Sequence, residues 1–286
     1  MMNTHATVRP SPIAGTWYSA NPNQLRKTIT NYISKAEDPN LPGEVVALVA
    51  PHAGYIYSGS VAGHAFKTVQ GRSFDTVCVI SPLHQFHPQP LLTSAHRAYR
   101  TPLGEVPLAD AILTQINALL DAKIGLPLSE VAYDQEHSLE IELPFLQVAL
   151  DGDFNLVPIM MRTQSRQAAQ ALGEVLANVL NPDSCLIVAS SDLSHFYSEH
   201  QAKQLDGAFL NALESFSPEA LFDLKEQGQG QACGLAPIAT TLWASAGWGA
   251  TDVTLLKYDT SAVTTGNTSS VVGYGAAAIT RPHRAA

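Results

Sequence analysis

The chain has 286 residues, 45% of them hydrophobic and only 14% charged, with 16 Lys and Arg against 25 Asp and Glu for a net charge of −9. That length buries a substantial core, and the scattered basic residues offer no electrostatic footprint for nucleic acid or an anionic membrane. The low charge fraction points to much buried surface and to homo-oligomeric association. No apolar run reaches the ~18 residues of a membrane span, and the N-terminus lacks the apolar stretch of a signal peptide. Cys78 and Cys185 sit inside apolar runs and Cys233 does not. An odd cysteine count with two in core positions implies no disulfide framework and a cytoplasmic location.

Strands and helices alternate along the chain. "EVVALVA" (44–50) is short and rich in Val and Leu, as a strand buried on both faces should be. "SGSVAGHAFKTV" (58–69) reads as the following helix with Ser58 as its cap. "FDTVCVIS" (74–81) is the next strand. "HSLEIELPFLQVAL" (137–150) has helical spacing, with Pro144 bending or restarting it. "FNLVPIMM" (154–161) is a strand and "SRQAAQALGEVLANVL" (165–180) an amphipathic helix. "SCLIVASSD" (184–192) is a strand, and helices follow over 197–216 and 217–227. The second of these opens on Ser217-Pro218-Glu219, a cap, a proline and a first-turn acid. "GLAPIATTLWASAGW" is helical, "SAVTTGNTS" (261–269) a flexible loop, and "VTLLKYDTS" and "SVVGYGAAAI" are late strands. The expected fold is a single α/β domain spanning 1–286, with a mixed, mainly parallel sheet flanked by helices.

Such sheets build their sites in loops beyond the carboxyl ends of the strands. Three apolar runs here end in a turn carrying histidine: His52 in "APHAGY", His84 in "SPLHQFH" and His195 in "SSDLSHF". Each also reads as a structural turn residue, and His87 competes with His84 but suits a solvated loop. Asp192 beside His195 is the equipment of a general acid/base, a carboxylate fixing an imidazole tautomer; Asp192 or Ser194 can equally cap a helix. In "DQEHSLEIELP", His137 and Glu140 share a helical face and can serve a pocket, although a solvated polar face is the simpler reading. Cys233, in a glycine-rich loop opening a helix, has the setting that lowers a thiol pKa. It reads as nucleophile, metal ligand or merely a small turn residue. Two histidines with one anionic ligand form a facial metal site that suits iron, and His/Cys ligation also suits zinc or copper. Trp17, Tyr55 and Phe196 are available to line an apolar pocket beside it.

"AGTWYSANPNQL", "APHAGYIYSGSVAGHAF", "SPLHQFH", "YRTPLGEVPLA", "EHSLEIELPFLQ", "SSDLSHF", "ACGLAPI" and "SVVGYGAAAI" occur in this order from about residue 9 to about 280. Together they resemble the Memo family, called AmmeMemoRadiSam system protein B in prokaryotes. The resemblance implies an α/β fold related to the class III extradiol dioxygenases. It implies metal ligands at His52, His84 and Cys233, an acid/base histidine at His195 beside Asp192, and iron or copper at the centre. Fe(II) is the first expectation, with copper or zinc behind it. The prokaryotic family name implies radical SAM and AMMECR-type protein partners. Cys233 stands where the dioxygenases have a carboxylate, so their activity does not carry over with the fold. Many relatives have adjacent histidines where this chain has His84-Gln85.

Three functions follow as expectations. The first is a metal-dependent redox enzyme acting on a small molecule. The second is a binding module that recognises a protein partner through the old cleft. The third is a zinc hydrolase in which His195 activates water.

Overall fold

Strands that lack polar alternation need cover on both faces, and the computed structural model, which describes residues 7–283, supplies it. In chain order the elements are β1 (Val8–Arg9), α1 (Pro22–Lys35), β2 (Glu44–Ala50), α2 (Tyr55–Lys67), β3 (Thr76–Pro82), β4 (Leu91–Ser94), β5 (Ala98–Thr101), β6 (Gly104–Pro107), α3 (Asp110–Ile124) and β7 (Ser129–Val131). A 3₁₀ turn (Glu140–Glu142) then runs into α4 (Leu143–Ala149). There follow β8 (Asn155–Met161), α5 (Arg166–Val179), β9 (Cys185–Ser190), β10 (His195–Tyr197), α6 (Glu199–Glu214), α7 (Pro218–Glu226), α8 (Leu235–Gly247), β11 (Asp252–Thr260), α9 (Ala262–Thr265) and β12 (Val271–Arg281).

The main sheet runs β10-β12-β2-β9-β3-β8-β4-β7, with β11 paired to β12. Its centre, β2-β9-β3-β8, is parallel, and antiparallel partners flank it. The expected mixed α/β sheet is thus present. Strands β1, β5 and β6 form a separate small sheet. Period-two alternation divides the core between the two faces. Val77 and Val79 of β3 pack into one cluster with α1, α2 and α4, while Cys78 and Ile80 pack into the other with α5 and α8. Cys78 and Cys185 are core residues, as expected, and all three cysteines are free.

Several local expectations are corrected. Helix α2 begins at Tyr55, not Ser58; Gly54 is the cap, and the Ser58 hydroxyl instead donates back to the Ala53 carbonyl. The 261–269 segment contains a helical turn closed by Gly266 in the left-handed region. Neither Asp192 nor Ser194 caps a helix: α6 starts at Glu199, capped by Ser198. Pro144 restarts the helix as expected, standing in the first turn of α4.

Parallel pairing places the carboxyl ends of β2, β9 and β3 side by side, with Ala50 opposite Ser190 and Ile80 opposite Ala189. The start of α8 is pressed against the same edge. A Cβ at Gly234 would lie 2.4 Å from the Ser190 carbonyl oxygen and 2.6 Å from Ser191 Cβ. Gly234→Ala should therefore lift α8 off the sheet edge and cost about 1–3 kcal/mol. A lowered urea midpoint with unchanged m-value checks this.

Candidate metal centre

Three imidazoles converge above that edge. His52 follows β2, His84 follows β3, and His137 comes from the segment leading to the 3₁₀ turn. One ligand atom from each lies within 4.8 Å of the others. The ring centroids are 5.4 Å apart for His52–His84 and His52–His137, and 4.8 Å for the stacked His84–His137 pair.

The rings are held by the nitrogens that face away from the cluster. His52 is buried, and its Nδ1 lies 2.9 Å from Ser190 Oγ. That hydroxyl is also 2.6 Å from the Ser138 carbonyl oxygen and 2.8 Å from Glu142 Oε1. A hydroxyl has one proton, and the Ser138 carbonyl can only accept it. Burial holds the Glu142 carboxyl well above the usual range, so it is protonated and its own O–H completes the second bond. The remaining Ser190 lone pair then accepts from His52 Nδ1–H. This network leaves the Nε2 lone pair of His52 facing the cluster.

Glu136 performs the same task for the His84 ring and fixes the backbone that carries His137. Buried, it accepts from His84 N at 2.6 Å, His84 Nδ1 at 2.9 Å, and the backbone N–H groups of His137 and Ser138 at 3.0 Å. Burial opposes its charge, but His84 and these N–H donors outweigh it and keep the carboxylate ionised well below its ordinary range. Burial likewise lowers His84, and Glu136 more than compensates, so His84 is raised. Burial and the His84 charge bring His137 down to about 4, and burial with both neighbouring histidines depresses His52. The cluster thus holds one imidazole that protonates readily and two that stay neutral.

This donor set fits a metal ion. Metal-bound imidazoles characteristically donate their other nitrogen to a carboxylate, carbonyl or hydroxyl, as here. The separation of up to 4.8 Å is wider than the roughly 3.5–4 Å that ligands span around one ion. Binding therefore draws the rings together.

The other expected residues fall into two groups. Cys233 joins the cluster from the α8 side, its Sγ 3.1 Å from His52 Nε2 and 3.2 Å from the Asp192 backbone nitrogen. The expectation of a lowered thiol pKa is corrected: burial and the Asp192 carboxylate push it up despite the helix start. Asp192 does not orient His195. Its Oδ1 accepts from His52 N at 2.8 Å, and burial brings its carboxyl up to about 7. His195 is oriented by a carbonyl: Nδ1 donates to Leu193 O at 2.8 Å, leaving Nε2 as the acceptor. Burial lowers its pKa, so the ring is neutral and equipped as a proton acceptor.

Trp17 stacks on His137 with centroids 4.1 Å apart, and Phe196 stands 76% exposed beside His195. Tyr55 is a core residue whose hydroxyl donates to the Ile141 carbonyl. Glu140 is fully buried with Arg9, Ser11 and Tyr18, so neither it nor Tyr55 lines a pocket at the cluster. His87 is a loop residue, as expected. The solvated-face reading of 134–142 is overturned, because Asp134, Glu136, Glu140 and Glu142 are all buried. Sequence reading missed Glu136, Ser190 and Glu142 as supports for the rings. The one available signal was a run of acids set among core-type Leu and Ile.

The chain is similar to known proteins over most of its length. The family described as Memo-like protein matches residues 9–278. The chain is 34% identical over 239 residues to a MEMO1 family protein of Methanosarcina mazei, covering 82% of this chain and 85% of that one. It is 32% identical to a counterpart in Methanosarcina acetivorans, over 94% of this chain and 98% of that one. A MEMO1 family protein of Sulfolobus acidocaldarius is 31% identical, with 93% and 97% covered.

Proposed function

The chain belongs to the Memo-like protein family, and from that premise we propose that it is a metal-dependent redox enzyme with iron, or failing that copper, at the histidine cluster. The observation that carries the reading is the convergence of three imidazoles, two of which, His52 and His84, have their outer nitrogens engaged by buried partners. His52, His84 and His137 hold the ion, and Cys233 stands ready as a further donor beside His52. Bound iron or copper supplies Lewis acidity and one-electron chemistry. Glu136 and Ser190 keep the ligand nitrogens aimed inward. His195 takes a proton at Nε2, and its Nδ1–H stays fixed on the Leu193 carbonyl.

A zinc hydrolase is the second reading, and the third imidazole favours it, because three histidines and an open position make a water-activating zinc site. Metal competition separates the two. Metal-free protein is titrated with Fe(II) under nitrogen, with Cu(I) and with Zn(II), alongside His52→Ala, His137→Ala and Cys233→Ala. Wild type should take up about one ion per chain and His52→Ala should take up none. Preference for iron or copper with oxygen consumption supports the redox enzyme; preference for zinc with esterase turnover lost in His195→Ala supports the hydrolase. Uptake by wild type no better than by His52→Ala overturns both. Among the described residues no helix is long and apolar enough to cross a membrane.

A further inference from the structure

A cleft of about 530 Å³ is lined by residues that flank the site's histidines, though by none of the histidines themselves. Three of its lining residues are neighbours of the site's histidines: Trp17 stacks on His137, Ala53 follows His52, and Phe196 follows His195. Tyr57, Val272 and Tyr274 continue the wall, and Ser, Thr and Asn side chains from 261–270 supply neutral hydrogen-bonding groups. No Asp, Glu, Lys or Arg lines it among the described residues. The volume lies in the range of small-molecule sites.

Phe196 marks the mouth. Its backbone adopts φ +65°, a region costly for an aromatic residue, and its ring is left 76% exposed. Strain held together with an exposed aromatic ring brings no packing gain to the folded protein, whereas a ligand would cover the ring. Ile56 and Tyr57 are exposed on the same cleft. Charge selects further. Lys225 lines a separate cleft of about 300 Å³, together with His195, Cys233, Gln164 and Gln231. An anionic ligand body finds no partner in the larger cleft, and burying it there unpaired is costly.

We infer that the larger cleft binds a small uncharged molecule with a flat apolar body, seated between Trp17 and Phe196. Flat rings gain from offset stacking on aromatic walls, which a puckered body of the same size forfeits.

Four probes of matched size test it by calorimetry on the Zn(II)-supplemented protein, a redox-inert state: 2-naphthol, 2-naphthoate, 2-(aminomethyl)naphthalene and trans-2-decalol. 2-Naphthol should bind about tenfold more tightly than each of the others, and Phe196→Ala should weaken it by roughly the same factor. Phe196→Gly should weaken 2-naphthol equally while raising the melting temperature, because glycine relieves the positive φ. That opposite movement is one a purely structural role would not give. Binding of 2-naphthoate or trans-2-decalol as tight as that of 2-naphthol overturns the inference, as does affinity unchanged in Phe196→Ala. Metal stoichiometry is measured in parallel. Metal uptake without 2-naphthol selectivity sinks the cleft inference alone, and selective 2-naphthol binding by a protein that takes no metal upholds the cleft and sinks the metal-site reading.

Discussion

Arg9→Ala should cost the protein about 3–5 kcal/mol of folding stability, because it strips the cation from a buried ionic network. Arg9 is 1% exposed. Its Nε and Nη2 donate to the two carboxylate oxygens of Asp134 at 3.0 and 2.7 Å, Nη2 also reaches the Glu136 carbonyl at 2.9 Å, and Nη1 pairs with Glu140. The guanidinium lies over the Tyr99 ring, 4.8 Å from its centroid. Burial works against the charge, but the Asp134 hydrogen bonds and the surrounding acids hold Arg9 ionised. Truncation leaves Asp134 and Glu140 buried without a counter-ion, and the melting temperature should fall on the order of 10 °C. Arg9→Lys should recover only part of this, since a point-charge ammonium cannot fork between Asp134 and Glu140. A shift of a degree or less in Arg9→Ala would mean that water replaces the guanidinium and that the network is not what holds residues 134–140. The same arginine anchors the backbone of Glu136, so the variant's metal affinity should fall with its stability.

That network also explains where the sequence could be read and where it could not. Strands β2, β3 and β9 were legible because burial on both faces demands contiguous Val, Ile and Leu, and their carboxyl ends then located His52, His84 and His195 on one rim. The Ser217-Pro218-Glu219 start of α7 and the Pro144 restart were legible because capping and proline act locally. The acid-rich segment was not. Whether Glu140 and Glu136 face water or the interior is decided by distant partners, Arg9 for the first, 131 residues away, and His84 for the second, 52 residues away. Local charge patterning cannot see such a partner. The Asp192–His195 pairing failed for a related reason: three residues of separation do not say which way the strand-end turn points each side chain, and the Leu193 carbonyl claims the imidazole. Helix α1 carried a readable signal, Asn21-Pro22 before Leu25, Ile29 and Ile33 at four-residue spacing, which the strand-end reading left unused.

Glu136→Gln should weaken metal binding by about 10–100-fold, the usual cost of losing a carboxylate behind a ligating histidine. Every group that hydrogen-bonds to the Glu136 carboxylate is an N–H donor. A glutamine must turn its own NH₂ toward one of them, so an aimed imidazole or a backbone N–H loses its acceptor. The loss should depend on pH in a direction the titrations fix. Glu136 raises His84, so in wild type the metal must displace a proton from His84, and its apparent affinity climbs as pH rises through the His84 pKa. In Glu136→Gln burial still lowers His84 and only the weaker Asp192 charge opposes it, so that climb shifts to lower pH and the deficit against wild type is largest in alkaline buffer. Calorimetry in buffers of different ionisation heat counts the protons released and thereby reports the ligand set. His52 is depressed and His137 lies at about 4, so both are already neutral near pH 7 and release none. Coordination by the three imidazoles alone should therefore release at most about one proton, from His84. Cys233 is held protonated, so coordination as thiolate adds about one more. A second proton that disappears in Cys233→Ala identifies the sulfur as a ligand, and a count of one in both proteins assigns the ion to the histidines. Equal metal affinity of Glu136→Gln and wild type at pH 8 would mean that the carboxylate does not orient the rings.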